Sequence, residues 1–159
     1  MRRIVVSLLV VGIMALSASA VSATSGAHFF SATGSVADSG ALVVTFDEAG
    51  VGQQQVNYVL TADSTATYAC LNGGGNHPKA ANKATFAGPV SSPTTGFTPN
   101  NGRVTGSLSA GPISAGGFSC PSGQTLVLAR VSYTNIVLTD ITNNVSANVA
   151  SISRTFFNV

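Results

Sequence analysis

Apolar residues in this chain recur at every second position, in one short segment after another, and almost nowhere at helical spacing. A period of two turns one side of a strand toward a core and the other toward solvent, so the pattern confines the fold to β-structure. Leu42, Val44 and Phe46 alternate with Thr45 and Asp47. Val56, Tyr58, Leu60 and Ala62 alternate with Gln55, Asn57 and Thr61, and Ala66, Tyr68 and Cys70 with Thr65 and Thr67. Upstream, Phe30, Ala32 and Val36 alternate with Ser31, Thr33 and Ser35, and Asp38-Ser39-Gly40 supplies the turn of a hairpin, because Gly tolerates positive φ and Asp bonds its own backbone. Val104 and Leu108 repeat the pattern ahead of a Gly-Pro loop from Gly111 to Gly117.

From Gln124 to Tyr133 the pattern changes. Val127, Ala129, Val131 and Tyr133 share one face, while Leu126 and Leu128 make the other face apolar too, which predicts a central strand. Ile136-Val137-Leu138 continues it, Asp140 to Asn144 turns, and Val145 to Val149 or Ile152 to Phe157 closes the chain. One turn of helix is the most that Asn76 to Ala81 can give, with Pro78 near a helix start. Many short strands without helices predict an all-β fold, an Ig-like antiparallel β-sandwich, with a small barrel as the alternative. No Trp is present to pack against a disulfide as in antibody domains.

Arg2 and Arg3, the apolar run from Ile4 to Leu16 and the small residues Ser17-Ala18-Ser19-Ala20 have the order of a secretory signal peptide. The run is shorter than the roughly 20 apolar residues a membrane-spanning helix needs. Cleavage is expected after Ala20, Ala23 or Ala27; taking residues 1–23 as the leader leaves a single domain over 24–159, secreted to the extracellular space. Without Arg2 and Arg3, five basic residues (Lys79, Lys83, Arg103, Arg130, Arg154) face five acids (Asp38, Asp47, Glu48, Asp63, Asp140). A neutral chain without a basic stripe is not expected to bind nucleic acid or an anionic membrane, and no lipid-accepting Cys follows the apolar run. Cys70 and Cys120 are the only cysteines, so in an oxidising compartment they are expected to form one disulfide.

The run from Cys70 through Asn72, Gly74, Gly75 and Pro78 to Asn82-Lys83 resembles the Cys-x-Asn-x-Gly-Gly-x-x-Pro then Asn-Lys signature of small secreted proteins of actinobacteria. Ala27-His28-Phe29 and Cys120-Pro121 extend the resemblance over most of the mature chain. It implies export and the disulfide, and no activity.

Signals for chemistry are sparse. Gly73-Gly74-Gly75 lacks the Gly-Lys-Ser/Thr of a phosphate cradle and reads as a turn, and no Gly-x-Ser-x-Gly elbow is present. Asp47 and Glu48 are adjacent, hence on opposite faces of a strand end, and read as solvated acids. Asp140 with Thr142, Asn143 and Asn144 offers oxygens to calcium, but Asx-turn bonding accounts for the same residues. Sugar binding wants aromatic platforms, and Tyr58, Tyr68 and Tyr133 all pattern inward. The leading expectation is therefore a non-catalytic extracellular binding or structural module, with an extracellular or cell-wall partner, an unspecified ligand and no cofactor. The alternative is copper binding: cleavage after Ala27 makes His28 N-terminal, joining an α-amine to an imidazole, and His77 is the other imidazole. Such a brace on a sandwich resembles copper-carrying periplasmic proteins and copper-dependent polysaccharide monooxygenases.

Overall fold

In the computed structural model, which describes residues 26–72 and 82–159, nine strands form two sheets. The smaller sheet has the order β1-β2-β6, from β1 (His28–Val36), β2 (Leu42–Ala49) and β6 (Arg103–Ala110). The larger has the order β4-β3-β7-β8, from β3 (Val56–Asn72), β4 (Lys83–Ser91), β7 (Gln124–Asp140) and β8 (Val145–Val149). Short β5 (Thr95–Phe97) pairs with β3, and β9 (Ile152–Thr155) pairs with β7. All pairings are antiparallel. No strand of one sheet pairs with a strand of the other, so the arrangement is a sandwich, not a closed barrel.

The two 17-residue strands β3 and β7 are the spine, paired from Tyr58↔Asp140 to Asn72↔Gln124. β7 is central in its sheet, with β3 along one side and β8 and β9 along the other; Leu128 packs against the core, whereas Leu126 stays exposed. Leu42, Val44, Phe46, Val104 and Leu108 of the small sheet meet Tyr58, Leu60, Val131, Tyr133, Ile136 and Leu138 of the large one, all buried. Cys70 is fully buried near the end of β3 and is bonded to Cys120 in the loop before β7, with Cα atoms 5.5 Å apart. The predicted disulfide thus ties the spine to the loop that enters it.

At the β1–β2 turn, Gly40 has φ 89°, and a Cβ there would stand 2.2 Å from Leu128 Cδ2. Glycine is required both by the backbone and by the space. The Gly40 carbonyl in turn accepts a 2.7 Å hydrogen bond from the Tyr133 hydroxyl, which satisfies the polar end of a buried ring.

Two strands escape the sequence reading. β4 carries Gly88 and Pro89, which weaken any strand pattern, and they are tolerated because β4 is an edge paired only with β3. β5 is too short to show a period. The possible helical turn at 76–81 and the glycine run at 73–75 lie outside the described residues, as does the leader.

Candidate functional site

Two β-bulges decide which side chains reach the surface and which are sealed inside. In β1 the register with β2 slips between Phe29 and Ser31, so Phe30 is the extra residue. A bulge reverses the alternation beyond it. Phe29 and Ala32 therefore both pack on the core, and Phe30, expected inward by its parity, is expelled to the surface with 62% of its area exposed. In β7 the register with β3 slips near Asn135, which adopts φ 50° and donates from Nδ2 to Asp63 Oδ2 at 2.7 Å. Upstream of that slip Ala129, Val131 and Tyr133 point inward; downstream Ile136, Leu138 and Asp140 do.

The first bulge builds an outward platform. Arg103 lies over the Phe30 ring, 5.3 Å from its centroid, and the His28 ring meets it edge-on at 4.8 Å. Arg103 Nε donates to Asp47 Oδ1 at 2.7 Å and Nη2 donates to Oδ2, a two-point grip that fixes the guanidinium against the ring. That pairing holds the Asp47 carboxyl below the usual range. The guanidinium thus covers one face of the Phe30 ring, and the surface presents the ring together with an imidazole, the guanidinium and a carboxylate.

Behind it, on the inner face of the same strand ends, sits an acid pair. Glu48 follows Leu42, Val44 and Phe46 in parity and is fully buried, contrary to its expected solvation as a turn acid. Asp140 is also fully buried. Its Oδ1 accepts from the backbone N–H groups of Thr142 and Asn143 at 2.8 and 2.9 Å, and its Oδ2 from Asn143 Nδ2 at 2.6 Å. This is the Asx-turn role expected for it. Neither carboxyl oxygen of Glu48 completes a hydrogen bond, nor does the buried Tyr58 hydroxyl beside it. Burial is the main reason the Glu48 carboxyl is pushed up to about 7; the Tyr58 hydroxyl, a donor facing it, opposes the shift, the Asp140 charge adds to it, and His28 weakly opposes it. The Tyr58 hydroxyl is raised as well, by burial and then by Glu48. Phe29, Phe46, Tyr58 and Phe97 form a ring cluster in the same end of the core, with Phe46 and Tyr58 centroids 4.7 Å apart and Phe46 and Phe97 5.5 Å apart.

The outer face of the large sheet carries a second polar surface, a groove of about 630 Å³ in which Thr85, Thr67, Arg130 and Thr155 stand in one row across four strands. Thr67 and Thr85 hydroxyls are 3.0 Å apart, and Lys83 Nζ donates to the Val159 carbonyl at 3.2 Å.

Tyr58 and Tyr133 are buried and Tyr68 is partly buried, donating to the Ile113 carbonyl at 2.8 Å. His28 opens β1, exposed, with Nδ1 donating to the Gly26 carbonyl at 2.6 Å. His77 lies outside the described residues. Among the described residues no group of three or more His, Cys, Asp or Glu side chains is placed to hold a metal ion, and no helix is long and apolar enough to cross a membrane. Comparison of the chain with known protein families, curated proteins and solved structures found no match to any of them.

Proposed function

We propose that the chain is a non-catalytic extracellular binding module of Ig-like architecture that meets its ligand through the Phe30 platform on the small sheet. The observation that carries this reading is the bulge at Phe30, which holds a large apolar ring in solvent between His28 and Arg103. Bulges that re-aim a side chain recur beside functional sites. An aromatic face bordered by a fixed Arg–Asp pair fits the flat, hydroxyl-bearing ring of a saccharide: the ring stacks on Phe30 while Asp47 and Arg103 bond the hydroxyls. The Ig-like assignment is supported by the strand order, β1-β2-β6 against β4-β3-β7-β8, in which the chain crosses between the sheets from β2 to β3, from β5 to β6 and from β6 to β7. Secretion is supported by the leader, by the disulfide and by the resemblance of the Cys70-to-Lys83 run to small secreted proteins of actinobacteria.

Titration of the exported protein against cell-wall polysaccharides, soluble glycans and secreted proteins tests the reading. Phe30→Ala is expected to weaken saccharide binding by at least about tenfold, the range of one lost stacking contact in a desolvated site. Arg130→Ala, on the opposite sheet, should leave it unchanged. Binding lost in Arg130→Ala and retained in Phe30→Ala would transfer the site to the groove. Turnover of a substrate abolished by one point mutation would overturn the non-catalytic reading.

The mature chain should also retain Gly26 and Ala27. Ala27 packs against the core, and the Gly26 carbonyl lies so near Gly50 that a Cβ there would be 2.2 Å from it. Cleavage after Ala20 or Ala23 keeps these contacts, and His28 then has no α-amine to offer copper. Intact-mass measurement of the secreted protein is expected to show a chain starting upstream of Gly26; one starting at His28 would reinstate the copper reading.

A further inference from the structure

We propose that Glu48, sealed between the sheets beside Asp140 and Tyr58, is a proton-operated latch for the sandwich end that displays Phe30. This concerns regulation of the binding face named above, and only its last consequence rests on that reading.

The geometry isolates Glu48 as a group awaiting a proton. It is 0% exposed and neither oxygen has a hydrogen-bond partner, whereas buried carboxylates are otherwise paired or bonded. Asp140 across the sheet gap is already committed to three donors in its own turn, so it cannot move away without dismantling that turn. A neutral Glu48 has an O–H to give to the Asp140 carboxylate or the Tyr58 oxygen. An ionised Glu48 instead places a second negative charge in a space that water does not reach.

The groups facing Glu48 offset its charge only in part, the Tyr58 hydroxyl most. From β1 comes the His28 imidazole, exposed and bonded to Gly26; from β3 the Tyr58 hydroxyl; from β7 Asp140; from β5 only the Phe97 ring. The cation on β6, Arg103, is on the outer face and is gripped by Asp47.

The direction of control follows. The fold raises Glu48 from 4.5 to about 7, so the native state binds the proton more tightly than the unfolded chain does. The stabilisation is fully present below pH 4.5 and is lost as pH rises through about 7. The strain of the ionised form falls where β2 leaves the core, and Glu48 is paired there with Phe29, beside the bulge that presents Phe30. The latch is closed in mildly acidic surroundings and loosened above neutrality.

The experiment needs no ligand. Carboxyl carbon NMR of the wild-type protein is expected to show a Glu48 resonance titrating near pH 7. Amide exchange at Phe29, Glu48 and Tyr58, corrected for intrinsic rates, should accelerate by at least about tenfold between pH 5.5 and 8. Glu48→Gln, which mimics the neutral acid, should remove that acceleration while leaving exchange on the Leu126 end of β7 unchanged. A Glu48 midpoint below 5 in the wild type, or the same acceleration in Glu48→Gln, overturns the latch; if the variant does not fold, the wild-type titration alone decides. A titrating Glu48 together with binding indifferent to Phe30→Ala would keep the latch and discard the platform.

Discussion

Replacing Cys70 and Cys120 with Ala, or reducing them, is expected to destabilise the domain by about 4 kcal/mol, the loss of loop-closure entropy for a separation of 50 residues in the chain-entropy model. In a domain of this size that corresponds to a fall in melting temperature on the order of 15 °C. The location strengthens the case. Cys70 is fully buried near one end of β3, where that strand gives up its neighbour β4, and its backbone N–H donates to the Asn82 carbonyl. Cys120 sits in the loop from Gly111 to Gly123 that has no ladder of its own, so the bond fastens the far half of a loop whose near half is held to β3 through Ile113. Differential scanning calorimetry with and without reductant measures the effect. A shift of under about 3 °C would mean that the loop is held by the Tyr68–Ile113 hydrogen bond and packing instead.

Most of the fold was legible because an antiparallel sandwich repeats one rule, apolar in and polar out, and the chain keeps to it for several residues at a time. The hairpin of β1 and β2, the inward Cys70, the central β7 and the closing strands all follow from it. The rule fails at a bulge, since one extra residue inverts every side chain beyond it and leaves no mark in composition. Phe30 was lost for that reason, and with it the only aromatic ring that the described residues expose to more than half its area. Glu48 was lost for a different reason: its parity with Leu42, Val44 and Phe46 already placed it inside, and only the expectation that an acid seeks water argued otherwise. A charged residue in phase with a buried face is thus the signal that marks this site. Asp140 gives the same signal, in phase with Ile136 and Leu138. What parity cannot supply is that Glu48 and Asp140, far apart along the chain and on different sheets, face one another across the sandwich.

Asp140 is where the acid pair can be taken apart. Asp140→Ala is expected to cost about 3 kcal/mol at pH 5.5, because hydrogen bonds to a charged group contribute roughly 1.5–3 kcal/mol each and buried donors are left behind. The N–H of Thr142 loses its acceptor, and the turn it holds also fixes Thr142 Oγ1, which accepts from the Asn57 N–H beside Tyr58. Part of the cost is returned above neutrality, since the variant no longer sets a carboxylate against an ionised Glu48. The loss relative to wild type should therefore be smaller at pH 8 than at pH 5.5. Asp140→Asn separates the two roles: it keeps an oxygen for the turn and removes the charge, so it should cost only about 1 kcal/mol at pH 5.5 and flatten the decline toward pH 8. Urea unfolding of the wild type and both variants at the two pH values measures all of this. Losses that differ between Ala and Asn but are unchanged between the two pH values would show that Asp140 serves the turn alone and that Glu48 does not feel its charge.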